Sequence, residues 1–392
     1  MNILVINYEY PPIGGGGGVI CRDICEEIAS KGHQVTVITS QYDALLSYES
    51  INGVGIHRVP VLMRTKQNIA SFPSMLSYVP QCIRKGAELF RSQRFDVINT
   101  HFAIPSGPAG HHISGRFRVP NVLTIHGGDI FDPSKALSPH RTLGLKQTVR
   151  RMLKGADRIV AQSTDTRDNS RRYYGVDRHI DIVPLGIRPN PYPSITKLEL
   201  NLSDDHFVLV TIGRLVRRKN LGELLEVFAG IRSEIPCTLL VIGDGPEMET
   251  LGKKIEEIGA GDSVRMTGRV DEEQKFQYLC ASDLYVSTAI HEGFGIVFLE
   301  AMECGLPVVC YDRGGQTDFL KEGVTGGLVR LGDRDNFSKK VKTLLLSTEE
   351  RKRISGHNRE YVKEFYIGRC ANRYLGIFDS AISSRRGGAT AS

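Results

Sequence analysis

The sequence HEGFGIVFLE, residues 291–300, changes character half-way along. Its first half is a glycine-rich turn, and its second half opens an apolar run, residues 296–302, which Gly-Leu-Pro at 305–307 would end. A turn leading directly into a helix exposes unpaired N–H groups at the positive end of the helix dipole, which suits a phosphate. Two carboxylates flank this cradle, Glu292 in the turn and Glu300 one helical turn into the apolar run. The pattern favours a ligand with hydroxyl-rich groups on both sides of a diphosphate, such as a nucleotide sugar.

Short apolar runs alternate with helical patterns on both sides of this stretch. Strands are predicted near residues 3–7, 35–39, 54–61, 97–100, 122–125, 159–161, 182–185, 207–212, 238–242, 264–266, 284–287 and 308–311. Continuous apolar strands between helices indicate parallel sheets covered on both faces. The fold class is therefore α/β, with two doubly wound units and a ligand cleft between them at the carboxyl ends of the strands.

The predicted domain organisation follows from length and from one interruption of the alternation. At 392 residues the chain exceeds the size of a single hydrophobic core, and three prolines interrupt the pattern after residue 188. The predicted parts are a first domain (1–188), a linker (189–205), a second domain (206–367), a C-terminal helix (about 368–384) placed to pack back on the first domain, and a disordered tail (385–392).

Composition narrows the class of protein. No apolar run approaches the roughly 20 residues that span a bilayer, and the N-terminal apolar run lacks the basic region of a signal peptide. Eight scattered cysteines without a Cys-x-x-Cys pair favour buried free thiols over a zinc site or a disulfide framework. We therefore expect a cytoplasmic protein.

Positive charge is concentrated in the first half of the chain. Lys and Arg outnumber Asp and Glu by 23 to 15 in residues 1–190, whereas the remainder is slightly acidic. The helical pattern at 141–158 is strongly basic, and with residues 63–66 and Arg84-Lys85 it could contact an anionic membrane or a lipid-linked acceptor. The alternative is an ordinary amphipathic helix packed on the sheet. No nucleic-acid partner is expected.

Five consecutive glycines, residues 14–18, follow the first predicted strand and would let the backbone approach a phosphate closely. The dinucleotide fingerprint would require a third glycine where Val19 stands, and the second strand ends without an acid for a ribose. An NAD site therefore fits poorly, and a flexible loop is the remaining alternative.

A second loop carries cations. Gly213 and Arg214 end the first strand of the second half, and Lys219 precedes its first helix. Two fixed cations at that position could hold a diphosphate and neutralise it as it leaves. Arg217 and Arg218 are expected to be surface charges.

These motifs, in this order and spacing, resemble a known family. Gly213-Arg214-Leu215 with Lys219, then GDGP at 243–246, then two glutamates with seven residues between them are similar to the donor domain of retaining GT-B glycosyltransferases, and most of all to family 4, the group 1 glycosyltransferases. KGHQV at 31–35 and TIHG at 124–127 extend the resemblance to the first half. The resemblance implies the GT-B fold, two Rossmann-like domains facing each other across a cleft, the first binding the acceptor and the second the donor.

The resemblance also implies site residues. Catalytic roles fall to Glu292, His126, Arg214 and Lys219, and donor binding falls to Gly16, Gly17, Gly213, Arg214, Lys219, Gly295, Ile296, Val297 and Glu300. Arg214 and Lys219 would contact the diphosphate, over which Gly16 and Gly17 would close.

Glu300 would accept hydrogen bonds from the ribose, Glu292 would face the transferred sugar, and His126, helped by Asp129, would lie near the sugar hydroxyls. Each has an ordinary alternative: Glu300 as a helix-surface acid, Glu292 as a helix cap, and His126 as a satisfied loop histidine.

The implied activity is retaining transfer of a hexosyl unit from a nucleotide-diphosphate sugar, such as a UDP- or GDP-hexose, to a glycan or lipid-linked acceptor. Such transfer would serve cell-surface polysaccharide, lipopolysaccharide or glycolipid synthesis, in the cytoplasm or at the inner face of the cell membrane. No Asp-x-Asp triplet lies near the proposed site, so no metal and no cofactor are expected. Two alternatives stay open: a nucleotide-sugar epimerase of the same architecture, and a non-catalytic sugar-nucleotide-binding subunit.

Overall fold

The computed structural model describes residues 1–67, 70–135, 138–201, 203 and 206–389, with residues 386–389 described by their backbone alone. The chain divides into two compact units. The first comprises Met1–Gly186 and the C-terminal residues from Ile367, and the second comprises Ile187–Tyr366. Within these described ranges, no helix is both long enough and apolar enough to cross a membrane.

The first unit is built on an eight-stranded sheet. Its strands are β1 (Asn2–Ile6), β2 (Gln34–Ser40), β3 (Tyr48–Ile51), β4 (Val54–Val59), β5 (Val97–His101), β6 (Asn121–Ile125), β7 (Arg158–Ala161) and β8 (Asp181–Ile182). Its helices are α1 (Gly16–Ser30), α2 (Phe72–Ser92), α3 (Ser106–Phe117), α4 (Leu143–Gly155), α5 (Thr164–Tyr174) and the C-terminal helix, which is numbered below. The strand order is β3-β4-β2-β1-β5-β6-β7-β8, and every pair is parallel except β3 with β4.

The second unit is built on a six-stranded parallel sheet. Its strands are β9 (Phe207–Ile212), β10 (Cys237–Ile242), β11 (Val264–Gly268), β12 (Leu284–Ser287), β13 (Val308–Tyr311) and β14 (Gly326–Val329), in the order β11-β10-β9-β12-β13-β14. Its helices are α6 (Leu221–Arg232), α7 (Met248–Glu257), α8 (Glu272–Cys280), α9 (Ile296–Glu303), α10 (Arg334–Leu346) and α11 (Thr348–Tyr361). The chain then returns to the first unit as α12 (Ile367–Ala389), which packs on α1 and β6.

Each sheet has one point where the strand order reverses, between β1 and β5 in the first unit and between β9 and β12 in the second. Open parallel sheets leave a crevice at the carboxyl ends of the strands at such a point, because the two flanking connections run in opposite directions. The loops after β1, β5, β9 and β12 are therefore the positions where the fold offers a ligand site.

The two predicted parallel-sheet α/β domains are confirmed, and the differences are local. Helix α1 begins at Gly16, so three of the five loop glycines form its first turn. The described part of 189–205, expected to be a linker, belongs to the second unit, where Lys197 Nζ lies 2.8 Å from Asp283 and Leu200 is buried. The prolines shape this segment without preventing it from packing.

The C-terminal tail also differs from expectation. Residues 385–389, expected to be disordered, continue α12, while residues 390–392 lie outside the described part of the chain. The Arg385 guanidinium lies 2.9 Å from the Asp157 carboxylate, an ion pair that attaches this end of the helix to the sheet.

Candidate functional site

The loop after β9 is fixed by close backbone packing against the loop after β10. Gly213 and Leu215 donate hydrogen bonds to the carbonyls of Ile242 and Asp244, each at 3.0 Å. A Cβ at Gly243 or Gly245 would collide with the backbone of Gly213 or Leu215, so only glycine permits this approach. The GDGP motif thus supports the loop that carries the predicted donor cations.

Lys219 lies directly over Gly213. The glycine has a φ of +153°, and a Cβ there would come within 2.8 Å of Lys219 Cε. Residues 217–219 form a 3-10 turn ahead of α6, and the Ile290 amide donates to the Arg218 carbonyl at 3.0 Å. The turn is thereby attached to the loop that follows β12.

Glu292 is buried between two cations. Its Oε1 lies 2.6 Å from Lys219 Nζ, and its Oε2 accepts a hydrogen bond of 2.9 Å from Arg218 Nη1. Burial by itself raises the pKa of this carboxyl, but Arg218 and Lys219 together outweigh burial and lower the pKa to about 2. Glu292 is therefore a carboxylate at neutral pH and can only accept hydrogen bonds.

Arg218 is the site residue that sequence reasoning missed. It was expected on the surface, yet its guanidinium bonds both the Glu292 side chain and the His291 carbonyl, whereas its neighbour Arg217 is 85% exposed. In this turn the side chains of Arg218 and Lys219 both reach Glu292, whereas the side chain of Arg217 faces solvent. The residue types alone do not show which of the two adjacent arginines contacts Glu292.

The N-terminus of α9 lies where the sequence predicts a phosphate cradle. Gly295, at φ +87°, makes the turn into the helix, and no side chain caps it, so Glu292 is not its cap. The amides of Ile296 and Val297 donate to no acceptor in the described part of the chain, as expected for the first turn of a helix. Two N–H groups and the positive end of the helix dipole therefore remain available to an anion.

Glu300 lies one turn further along α9 and is largely buried, with 13% of its side chain exposed. Its Oε1 lies 2.8 Å from Nζ of Lys275 on α8. Burial lowers the pKa of this lysine, but the carboxylates of Glu300 and Glu272 outweigh that effect and raise it. Glu300 thus has a cationic partner inside the unit and is not an ordinary helix-surface acid.

Arg214 differs from these paired groups. Its side chain is exposed and forms no ion pair with any carboxylate that the structure describes. The structure therefore brings Gly213, Lys219 and Glu292 into contact and leaves Arg214 on the surface of the same loop.

Gly16 and Gly17 lie in the first turn of α1 in the first unit. The Gly16 position is exposed, with no atom near the place of a Cβ, whereas a Cβ at Gly17 would come within 2.5 Å of the Phe102 ring. Both amides lack an acceptor among the described residues. This turn is a second helix N-terminus that an anion can approach, and glycine at position 17 makes room for Phe102.

His126 follows β6 and joins a chain of polar groups at the carboxyl ends of β5 and β6. Its Nε2 lies 2.9 Å from His101 Nδ1, and its ring packs on Phe102 with centroids 4.4 Å apart. The His126 amide donates to Asp129 Oδ1 at 2.9 Å, so Asp129 positions the backbone of the loop, not the imidazole.

Burial determines the protonation of both groups. Burial, and after it the neighbouring His101, hold the pKa of His126 well below its ordinary value, against a smaller opposing effect of Gln162. Burial raises the pKa of Asp129 to about 6, although hydrogen bonds from the Ala103 and His126 amides oppose it. His126 is therefore a neutral imidazole at neutral pH.

The predicted residues thus form two sets, each at the carboxyl ends of the strands at or next to the strand-order reversal of its own sheet. Gly16, Gly17 and His126 lie in the first unit, and Gly213, Arg214, Lys219, Glu292, Gly295, Ile296, Val297 and Glu300 lie in the second. Their functional roles stay predictions.

Comparison with known proteins bears on both units. The family model described as "Glycosyltransferase Family 4" matches residues 14–190, and "Glycosyl transferases group 1" matches residues 196–361. Among curated proteins, N-acetyl-alpha-D-glucosaminyl L-malate synthase of Bacillus anthracis is 26% identical over 390 residues, with 97% of each chain covered. A putative teichuronic acid biosynthesis glycosyltransferase of Bacillus subtilis is 28% identical over 343 residues, covering 80% of this chain and 82% of that protein.

Solved structures show the same fold. Sucrose-phosphate synthase from Thermosynechococcus elongatus superposes with a TM-score of 0.86 at 21% identity, covering 98% of this chain and all of that one. HepE from Anabaena, in complex with UDP-glucose, gives a TM-score of 0.77 at 20% identity, covering 97% of this chain and all of that one.

Proposed function

Because the chain belongs to the group 1 glycosyltransferases of family 4, we propose that it moves a hexosyl unit from a nucleotide-diphosphate sugar with retention of configuration. The observation that carries this proposal is the site in the second unit. There the amides of Ile296 and Val297, which donate to no acceptor among the described residues, lie along the chain between two carboxylates, Glu292, which contacts Lys219, and Glu300. A phosphate cradle flanked by two acceptors for hydroxyl groups matches the chemical form of a nucleotide sugar.

In this proposal the cationic and N–H groups bind the diphosphate of the donor, and the carboxylates bind its hydroxyl groups. The amides at the start of α9 and the exposed Arg214 supply positive potential for the diphosphate, and Lys219 can turn from Glu292 towards it. Glu300 accepts hydrogen bonds from ribose hydroxyls, and Glu292 accepts them from the transferred sugar. The UDP-glucose bound by the Anabaena relative supports a donor of this class.

The proposed reaction is front-face departure. The bond between the anomeric carbon and the phosphate oxygen breaks, the acceptor oxygen bonds to the same face of that carbon, and the acceptor proton passes to the leaving phosphate. Glu292, with a pKa of about 2, has no proton to give and serves as an acceptor that fixes the sugar. Arg214 and Lys219 neutralise the departing diphosphate in place of a divalent cation.

Donor binding is tested by a thermal-shift screen of UDP, GDP, ADP and their hexose derivatives. A ligand at 100 times its dissociation constant stabilises the folded protein by about 2.7 kcal/mol. We expect one base to give a shift that Arg214→Ala and Glu300→Ala lose and that Arg217→Ala, in the same loop, keeps. Equal shifts in all three variants would contradict the assignment.

Metal independence is tested separately, by assaying sugar transfer to the acceptor with and without EDTA. Transfer that survives chelation supports the roles of Arg214 and Lys219. A strict requirement for added Mg²⁺ or Mn²⁺ would overturn the metal-free mechanism while leaving the donor assignment intact.

For the acceptor we propose a glycan or lipid-linked molecule of cell-surface polysaccharide, lipopolysaccharide or glycolipid synthesis, met at an anionic membrane by the first unit. Arg150, Arg151 and Lys154 of α4 are exposed and pair with no carboxylate that the structure describes, while Val149, Met152 and Leu153 pack into the core. Among the large apolar side chains of this unit that are more than half exposed are Leu62, Met63, Phe72 and Leu76. Exposed apolar groups together with unpaired cations are typical of surfaces that bind anionic lipid.

Flotation with vesicles of phosphatidylglycerol and phosphatidylcholine at low salt tests the membrane contact. Phe72→Ser with Leu76→Ser should reduce the floated fraction, whereas Leu346→Ser, at a still more exposed leucine of the second unit, should not. Absence of binding by the unmodified protein would reject the contact.

A further inference from the structure

Helices α3 and α4 differ in charge from the other described helices of the first unit. Their sequences, SGPAGHHISGRF and LGLKQTVRRMLKG, contain no aspartate or glutamate, whereas α1, α2, α5 and α12 each contain at least one. The two helices carry five cationic side chains: Arg116, Lys146, Arg150, Arg151 and Lys154. None of the five forms an ion pair with a carboxylate that the structure describes. Their charge is therefore not balanced by any described neighbour.

This arrangement of charge is unfavourable in the protein alone. Lys146, Arg150 and Lys154 follow one another at intervals of four residues on α4, so the three cations lie along one face of the helix. Like charges at this spacing repel one another and destabilise a helix. An anion that binds beside this face would offset the repulsion.

The two helices also enclose a place for such an anion. A groove of about 710 Å³ between them is lined by Pro108, His111, His112, Gly115 and Arg116 of α3 and by Thr148, Arg151 and Met152 of α4. A second groove, of about 480 Å³, shares His111 and Arg151 with the first and is bordered by Arg150 and Lys154. Because they share these side chains, the two are continuous, and together they are called the α3–α4 groove below.

Glycines give the α3–α4 groove an apolar base beneath its cations. A Cβ at Gly107 of α3 would come within 2.9 Å of Met152 Cγ, and a Cβ at Gly155 of α4 would come within 2.6 Å of the His111 ring. Each glycine thus lets a side chain of the opposite helix pack against the backbone. Met152 is buried, whereas the guanidinium-bearing side chains of Arg116 and Arg151 are exposed.

From this arrangement we propose that the α3–α4 groove binds a phosphorylated lipid, whose phosphomonoester or pyrophosphate contacts Arg116 and Arg151 and whose hydrocarbon covers the apolar base. An arginine can donate two parallel hydrogen bonds to a phosphate, and the imidazoles of His111 and His112 offer at least one N–H donor each, whatever their charge. A terminal phosphate has three free oxygens and close to two negative charges, so it matches several donors better than a phosphodiester does.

The proposal names a partner for the membrane contact of the first unit. That the bound lipid belongs to the acceptor rests on the proposed function, whereas the lipid-phosphate site itself does not. All the groups that form it lie in the first unit.

Flotation tests the site with phosphatidylcholine vesicles that contain either phosphatidic acid, a phosphomonoester, or phosphatidylglycerol, a phosphodiester, matched in zeta potential. We expect the unmodified protein to bind the phosphatidic acid vesicles about tenfold more tightly. Arg116→Gln with Arg151→Gln should remove this preference. The control, Arg171→Gln with Arg172→Gln, removes the same charge from exposed positions of α5 and should keep it. All four side chains are exposed, so both double variants should fold.

Titration calorimetry separates a lipid phosphate from a free one. Dihexanoyl phosphatidic acid below its critical micelle concentration should bind more tightly than inorganic pyrophosphate, because it also covers the apolar base. Its heat should be lost in Arg116→Gln with Arg151→Gln and kept in Arg214→Ala, which changes the proposed donor site of the second unit. Pyrophosphate that binds this groove as tightly as the lipid would overturn the assignment to a lipid.

Two further outcomes would overturn the site. One is equal binding to the two kinds of vesicle, or a preference that survives in the groove variant, since diffuse attraction to negative charge would then suffice. The other is tighter binding of a single-stranded oligonucleotide at equal phosphate concentration. None of these measurements uses the donor, so their failure and the failure of the donor thermal-shift test are distinguishable.

Discussion

The ion cluster formed by Glu292, Arg218 and Lys219 can be tested through its contribution to the free energy of unfolding. A pKa of about 2 in place of 4.5 means that the folded site favours the carboxylate over the acid by about 3 kcal/mol. Burial acts in the opposite direction, so the combined contribution of Arg218 and Lys219 exceeds that figure. Removal of one partner of a fully buried pair costs about 3 to 5 kcal/mol, and 23% of the Arg218 side chain remains exposed. We therefore expect Arg218→Met to lower the free energy of unfolding by about 2 kcal/mol.

Urea unfolding followed by far-ultraviolet circular dichroism measures this change, since the chain has no tryptophan. The matched control is Arg217→Met, which makes the same change one residue away on an 85% exposed side chain and should cost less than about 0.5 kcal/mol. The double variant Arg218→Met with Glu292→Gln should cost at least about 1 kcal/mol less than the two single changes added together. Equal effects of the two arginine substitutions, or a double variant that costs as much as the two single changes added together, would refute the stabilising pairing of Arg218 with Glu292.

Three further predictions follow from single features. Gly213→Ala should weaken donor binding about tenfold or more in titration calorimetry, because the added Cβ would displace Lys219. Gly230→Ala, inside α6 where a Cβ meets no other atom, should instead raise the free energy of unfolding by about 0.5 to 1 kcal/mol in urea. Cys280 and Cys304, with sulfurs 2.7 Å apart, should be oxidised by diamide to one intrachain disulfide, seen by peptide mass mapping and absent in Cys280→Ser. Because folding lowers the pKa of Glu292, the contribution of this carboxylate to the free energy of unfolding is complete above about pH 4.5 and is lost as the pH falls towards 2. The difference in free energy of unfolding between the unmodified protein and Glu292→Gln should therefore shrink over that range. A difference that stays constant with pH would contradict this prediction.

The strands were the most predictable part of the fold. Three of them, at 207–212, 284–287 and 308–311, have the predicted bounds, because a parallel strand buried on both faces must be a continuous apolar run. Helix α5 was missed for the opposite reason. Helix α5 buries Thr166, Ser170 and Tyr174 at helical spacing, so its inward face is periodic but polar.

Helix α3 and strand β14 were missed because small residues form their contacts. In α3, a Cβ at Gly110 would collide with the Thr100 side chain, so close approach to β5 replaces apolar bulk. Strand β14 begins with two glycines for a similar reason, since a Cβ at Gly326 would meet the backbone of Val308. Hydrophobic patterning records which residues are apolar and says nothing about how closely two backbones approach.

The site was predictable as a set of residues and not as a set of contacts. The order of motifs identified Lys219 and Glu292, and the β9-to-β12 reversal of the sheet brings them within 2.6 Å. Neither motif order nor composition shows that this lysine, predicted to hold the diphosphate, is already paired with the carboxylate predicted to hold the sugar.

Arg218 resolves the conflict between those two roles. If Lys219 turns from Glu292 to the diphosphate, a carboxylate with 7% of its side chain exposed would lose its closer partner, at a cost of several kcal/mol for an unpaired buried charge. The hydrogen bond from Arg218 to Oε2 remains, so Glu292 keeps a counter-charge and its ionised form. Because two cations contact this carboxylate, Lys219 could turn to the proposed ligand while Arg218 stays paired with Glu292; with Lys219 alone, the same movement would leave Glu292 without a counter-charge.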